Sequence, residues 1–180
     1  DWPEDQEEIF TVERHSKRPD MGRRAIPFSR SIYIDREDFH DSGLDGTILP
    51  PKGFKRLTAG GTVRLKYAYV IRCDEVVRDA AGHAVELRCT HDPSTRAGQS
   101  PEGSTKARGI VQWVSQEHSV PIEAVLYDRL FCSASPGKAS ADGNFLTDLN
   151  PNSIIHCIEA RAEPSVGQAL IGDSFQFERL

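Results

Sequence analysis

The sequence has no long apolar run. Its longest, Tyr67 to Ile71, is five residues, far short of a membrane-spanning helix. It has no C-x-x-C pair. Cys73, Cys89, Cys132 and Cys157 are separated by 16, 43 and 25 positions, which supports neither a zinc knuckle nor a disulfide framework and fits buried or half-buried thiols in a reducing compartment. G-x-x-x-x-G-K-[ST], G-x-G-x-x-G and G-x-S-x-G are all missing, so no phosphate loop, dinucleotide fingerprint or nucleophile elbow is present. None of His15, His40, His83, His91, His118 and His156 forms H-x-x-x-H or H-E-x-x-H. His156 and Cys157 are neighbours on a predicted strand and point to opposite faces, which argues against a shared metal. The carboxylates of Asp35-Arg36-Glu37-Asp38 read as a solvated turn or helix start, and nothing selects a catalytic pair or a Cys–His pair. Net positive charge is lacking too: 22 basic against 27 acidic residues give −5 and a pI of about 5.7. A nucleic-acid site would therefore be a local patch on an acidic body. The first residues, Asp1-Trp-Pro-Glu-Asp-Gln-Glu-Glu8, carry no basic n-region and no apolar h-region, so they do not read as a secretory signal. With no initiator Met, the chain reads as a fragment of a longer protein.

What is present is strand. The 180 residues suit one large or two small domains, and 14 Gly with 11 Pro make turns frequent. Ser31 to Asp35 alternates apolar and polar residues. Thr62 to Arg72 puts Val63, Leu65, Tyr67, Tyr69 and Ile71 on one face, and Arg64, Lys66, Ala68, Val70 and Arg72 on the other. Further strands are predicted in Glu75 to Val77, Ala84 to Thr90, Gly109 to Ser115, Pro121 to Phe131 and Ser153 to Ala160. Asp79-Ala-Ala-Gly-His83 reads as a hairpin turn, and Asp45-Gly46, Gly60-Gly61 and Asp142-Gly143 punctuate the chain. Helix is confined to one turn at Arg36 to His40 and a short segment at Ser165 to Ile171 behind Pro164. Asp92 to Thr105 and Ser133 to Asn152 are long loops rich in Ser, Gly, Pro and Asp. The pattern is all-β, a sandwich or barrels.

The basic residues are not spread evenly. Residues 13–30 hold Arg14, Lys17, Arg18, Arg23, Arg24 and Arg30 against two acids. Residues 52–72 hold Lys52, Lys55, Arg56, Arg64, Lys66 and Arg72 against none. Arg96, Lys106 and Arg108 follow with only Glu102. Arginines at strand ends beside aromatics such as Phe28, Tyr33 and Phe54 suit phosphates and splayed single-stranded bases. The alternative is ordinary surface salt bridging.

Seven collinear stretches then carry a resemblance. They are Met21-Gly-Arg-Arg-Ala-Ile-Pro-Phe-Ser-Arg30 with Ile32-Tyr-Ile-Asp-Arg-Glu-Asp-Phe39, Arg64-Leu-Lys-Tyr-Ala-Tyr-Val-Ile-Arg72, Leu87-Arg-Cys-Thr-His-Asp-Pro93, Gly109-Ile-Val-Gln-Trp-Val-Ser115, Leu126-Tyr-Asp-Arg-Leu-Phe131, Asn150-Pro-Asn-Ser153 and Phe175-Gln-Phe-Glu-Arg179. Over about residues 11 to 180 the sequence resembles the anticodon-binding region of the glutaminyl-tRNA synthetases of class I. The similar region of archaeal and eukaryotic glutamyl-tRNA synthetases is the alternative. The Ile-Asp-Arg-Glu-Asp-Phe and Phe-Gln-Phe-Glu-Arg stretches favour the glutaminyl family.

The resemblance implies two β-barrels, proximal and distal, with few short helices, in an anticodon-binding fold shared with a ribosomal protein. Expected boundaries are 1–10 as a linker from a missing catalytic part, 11–60 with 150–180 as the proximal barrel, and 61–149 as the distal barrel. It implies no catalytic residue, cofactor or metal in this fragment. The parent would be an ATP-dependent, Mg-using cytoplasmic glutamine–tRNA ligase. Implied partners are the anticodon loop of tRNA(Gln) and the protein's own N-terminal catalytic domain, with no membrane and no DNA. By motif match, Arg24, Gln176 and Arg179 are the residues for the middle anticodon uridine. Arg96 is the candidate for the third base, a guanine, which an Arg fork can read at O6 and N7. Lys106 and Arg108 are candidates for the first base and nearby phosphates. Arg23, Arg64, Lys66 and Tyr67 are weaker candidates for the RNA backbone; at Tyr67 some relatives carry Asn. A β-barrel interaction module without RNA and a stand-alone hydrolase are the rivals from other classes.

Overall fold

In a computed structural model, residues 1–138 and 143–177 are described. The all-β expectation holds: 38% of the chain is strand and 12% helical, the helical part being 3-10 turns among the described residues. In chain order the strands are β1 (Glu8–Glu13), β2 (Arg23–Phe28), β3 (Ile32–Ile34), β4 (Phe39–His40), β5 (Leu57–Thr58), β6 (Thr62–Leu65), β7 (Val70–Arg78), β8 (Ala84–Asp92), β9 (Ile110–Val111), β10 (Trp113–Ser115), β11 (Val120–Tyr127) and β12 (Ile154–Ala162). They form two compact units, Asp1–Ser119 with Glu163–Leu180, and Val120–Ala162. These boundaries fall at different places from 60/61 and 149/150.

In the larger unit, β7 is central to a four-stranded sheet in the order β8-β7-β6-β9. The β8–β7 and β7–β6 pairs are antiparallel and β6–β9 is parallel. β1 pairs with β2, β3 with β10, and β4 with β5. Alternation explains the core. Phe10 and Val12 of β1, Ile26 and Phe28 of β2, and Val63 and Leu65 of β6 are all buried, and each pair is two residues apart on one strand face. Trp113, Leu57, Val111, Tyr69 and Cys73 belong to the same core, with Trp2, Phe39, Ala68 and Ile71. Phe28 meets Trp113 edge-on with ring centres 5.1 Å apart and lies tilted against Tyr69 at 5.6 Å. The smaller unit is the β11–β12 hairpin with its irregular connection, which contains the 3-10 turn Phe145–Asp148 capped by Asn144.

Four expectations need correction. The first ten residues are not a linker: Trp2 is 8% exposed and packs edge-on against Phe28 at 4.8 Å, and Glu8 to Phe10 already lie in β1. Thr62 to Arg72 is not one strand. Tyr67 adopts φ +67°, the Ala68 N–H donates to Leu65 O at 2.9 Å, and the chain reverses between β6 and β7. Before the turn the alternation holds, with Val63 and Leu65 buried; after it, Ala68 and Val70, expected on the basic face, are buried together with Tyr69 and Ile71. Residues 165–171 do not make an α-helix, because the 3-10 turn stops at Gln168. Phe28 is a core residue and offers no surface for a base.

Candidate nucleic-acid interface

The reversal at Lys66 to Tyr69 creates the site's geometry. Because Val63 and Leu65 point into the core, Thr62, Arg64 and Lys66 share the opposite face. Two groups of side chains gather there.

The first surrounds Glu163. Arg24, on β2, donates Nε–H to Glu163 Oε2 at 2.7 Å and an Nη–H to Oε1 at 3.3 Å. Its other Nη donates to Glu13 O. The side chains of Arg24 and Glu163 are 9% and 13% exposed. Lys66 and Tyr67 complete the group. Burial and then the Arg24 charge hold the Lys66 ammonium below the ordinary lysine value, with Glu163 opposing. Burial pushes the Tyr67 phenol up, an effect that Arg24 opposes and Glu163 reinforces. Lys66 Nζ lies 5.3 Å from the centre of the Tyr67 ring. Position 67 is left-handed, a conformation that Asn tolerates better than Tyr. Gln176 is held on the loop that closes the same β1–β2 hairpin, where its Oε1 accepts from Ser16 N–H at 3.0 Å. Arg23 instead donates to Thr11 O at 2.8 Å and sits 3.4 Å from Glu13. Arg179 lies outside the described residues.

The second group surrounds Arg64. The segment carrying Lys106 and Arg108 runs along the edge of β6. Thr62 Oγ1–H donates to Lys106 O at 2.8 Å, Arg108 N–H to Thr62 O at 3.0 Å, and Arg64 N–H to Gly109 O at 2.9 Å. Gly109 is obligatory there, since a Cβ would fall 1.9 Å from Lys55 O. The Lys106 and Arg108 side chains are exposed. Arg96 projects from the 3-10 segment Pro93–Gly98, pairs with Glu8 through Nε and Nη, and lies 5.7 Å from the Phe10 ring centre. Glu8 also accepts from the Tyr69 hydroxyl at 2.6 Å. Burial and this bond push the Tyr69 phenol up to about 12. Asp92 starts the Arg96 loop by accepting from Ser94 and from Thr105 N–H; the Ser94 hydroxyl and Thr105 hold its carboxyl far below the usual range.

The structure thus brings Arg24, Lys66 and Tyr67 together, and sets Arg64, Arg96, Lys106 and Arg108 around the same strand. Arg24 and Arg96 are each held by a carboxylate. Glu163 and Glu8 carried no signal in the sequence, because Arg24 and Glu163 are 139 residues apart and Arg96 and Glu8 are 88 apart. Of the remaining basic residues, Arg18, Arg30, Arg56 and Arg72 form ion pairs with Asp20, Glu4, Asp38 and Asp74. Elsewhere, ligand atoms of Glu7, Glu117 and His118 lie within 4.8 Å of one another. The 2.8 Å bond between His118 and Glu7 accounts for that cluster without an ion. No helix among the described residues is long and apolar enough to cross a membrane.

Comparison with known proteins places this geometry in a family. Residues 1–92 and 110–180 match the two models described as class I (E and Q) tRNA synthetases, anti-codon binding domain. The chain is 49% identical over 178 residues to a glutamine–tRNA ligase of Ectopseudomonas mendocina, 50% to one of Pseudomonas syringae pv. tomato and 46% to one of Azotobacter vinelandii. Each match covers 99% of this chain. The chain spans 30% of the length of these relatives. It belongs to the anticodon-binding domains of the class I tRNA synthetases for glutamate and glutamine.

Proposed function

We propose that this chain recognises the anticodon loop of tRNA(Gln) within a cytoplasmic glutamine–tRNA ligase, whose ATP- and Mg-dependent chemistry belongs to a separate catalytic domain. The observation that carries this reading is the clustering of basic groups about β6 on a chain of net charge −5: Lys66 beside Arg24, Arg64 bound to the Thr95–Ser100 loop, and the Lys106–Arg108 segment along the strand edge. Phosphate contacts hold the loop in register, and base contacts choose the sequence. Unstacked bases present their edges to donors, and the planar Arg fork suits two acceptors on one edge. Glu163 holds the Arg24 fork across both of its carboxylate oxygens, a two-acceptor geometry like the one a base edge offers, whereas Glu8 meets the Arg96 Nε and Nη through Oε1 alone; in both cases RNA binding exchanges a carboxylate for a base edge.

The test is fluorescence anisotropy with labelled anticodon hairpins over a salt series, comparing a glutamine-type loop with one carrying C in place of G at the third anticodon position. A preference for G that Arg96→Ala lowers by about 5- to 150-fold is the expected result, the range set by one bidentate base contact. A preference for C would favour a glutamyl-type reading. Equal binding of both loops with a steep salt slope would overturn base reading and leave a basic surface alone. Absence of any salt-dependent binding would overturn RNA recognition.

A further inference from the structure

Arg64 sits on the basic face, and its guanidinium is engaged by the neighbouring loop. One Nη donates to Thr95 O at 2.9 Å, and the other donates to Gln99 O at 2.8 Å and to Ser100 Oγ at 3.0 Å. These acceptors bracket Arg96. Between them the backbone leaves helical geometry, with Arg96 at ψ 139° and Ala97 at φ +52°. The loop's other supports lie at its two ends and its middle. The fully buried Thr95 hydroxyl accepts from Val70 N–H at 2.8 Å and donates to Asp92 O at 2.6 Å. Gln99 N–H donates to Arg96 O at 3.0 Å, and Gly98 N–H reaches Ala68 O at 3.3 Å in the β6–β7 turn. Arg64 is the side chain that ties both flanks of Arg96 to one strand.

We propose that Arg64 is a positioning residue for base reading. It fixes the Pro93–Ser100 loop so that Arg96 meets a base edge in one orientation, and it is not itself a phosphate contact. The inference rests on the proposed role of Arg96. Three bonds from a rigid fork limit the loop's freedom, and a contact that depends on two simultaneous hydrogen bonds is sensitive to small displacements of the donor. Lysine has a point charge and no fork, so it cannot span Thr95 O and Gln99 O in the same way.

The experiment measures hairpin binding by anisotropy for the unmodified chain, Arg64→Ala, Arg64→Lys, Arg96→Ala and the Arg64→Lys/Arg96→Ala double variant. Each is tested with G or C at the third anticodon position over a salt series. The expected result is that Arg64→Lys loses most of the G preference while its salt slope stays unchanged, and that the double variant discriminates no worse than Arg96→Ala alone. Rescue of discrimination by Arg64→Lys would overturn the proposal. So would a fall of about one in the salt slope of Arg64→Ala with the G preference kept, since that is the signature of a phosphate contact. Independent, multiplying losses in the double variant would overturn it as well. If Arg64→Ala fails to fold, Arg64→Lys still decides the matter. If Arg96→Ala has no effect on the G preference, the assignment of Arg96 fails, and that outcome is distinct from a failure confined to Arg64.

Discussion

Replacing Glu163 by Gln removes one charge and little volume from a place where three charged groups meet. Arg24 and Lys66 then face each other with no carboxylate between them. Hydrogen bonds to charged groups contribute about 1.5–3 kcal/mol, and breaking a fully buried ion pair costs about 3–5 kcal/mol. The pair here keeps about a tenth of its side-chain surface exposed and Gln can still accept one bond, so the expected loss is about 2–3 kcal/mol. For a chain of this size each kcal/mol shifts the midpoint of thermal unfolding by about 2–4 °C, giving a drop of about 4–12 °C. Both tryptophans of the sequence, Trp2 and Trp113, are buried in the same compact unit as the pair, so urea unfolding followed by intrinsic fluorescence reports on the right core. A double-mutant cycle with Arg24→Gln should show coupling of about 2 kcal/mol. Additive effects within about 0.5 kcal/mol would refute the claim that this pair is a structural element as well as a binding site. Lys66, already held low by burial and Arg24, should titrate lower still in Glu163→Gln, because the charge that supports its ammonium is gone.

Two further expectations concern the scaffold. Asp41 accepts from both Nη groups of Arg78, at 2.6 and 2.8 Å, and this bond lowers its pKa to about 2. A depressed carboxyl contributes stability above its unfolded pKa of about 4 and loses it as pH falls through the folded value. Asp41→Asn should therefore cost about 1–2 kcal/mol near neutral pH, and the gap in urea midpoint should close between about pH 4 and pH 2; a gap that does not change with pH would refute this account. Trp2→Ala should cost about 3–5 kcal/mol, the range for truncating a buried Trp. A loss under about 1 kcal/mol in urea unfolding would mean that Trp2 does not belong to the core.

Local patterning and composition were enough for the all-β class, the Asp79–His83 hairpin turn and the Arg64 and Lys66 part of the basic face, whose other members Ala68 and Val70 are buried. Period-two alternation is a property of neighbouring residues and survives whatever the distant chain does. The sequence alternation ran through residues 66–69 without announcing a turn, because a single left-handed residue, Tyr67, reverses the chain without any break in the local pattern of residue types. β1 and β2 were less legible: the apolar residues of Ile9 to Val12 and Ala25 to Phe28 are short runs beside dense charge, and their strand state depends on pairing with each other. The candidate arginines were visible as a cluster and through the family motifs. What each one does is a tertiary fact. Glu163 reaches Arg24 from 139 residues away, Glu8 reaches Arg96 from 88, and Arg64 finds two backbone carbonyls beyond a hairpin. A charged side chain's role is set by the partner the fold brings within hydrogen-bonding distance, and that partner lies far outside any window in which periodicity operates. Local sequence thus shows where positive charge lies, and long-range contacts select which cations are braces, which are paired and which stand toward solvent, since those partners come from distant parts of the chain.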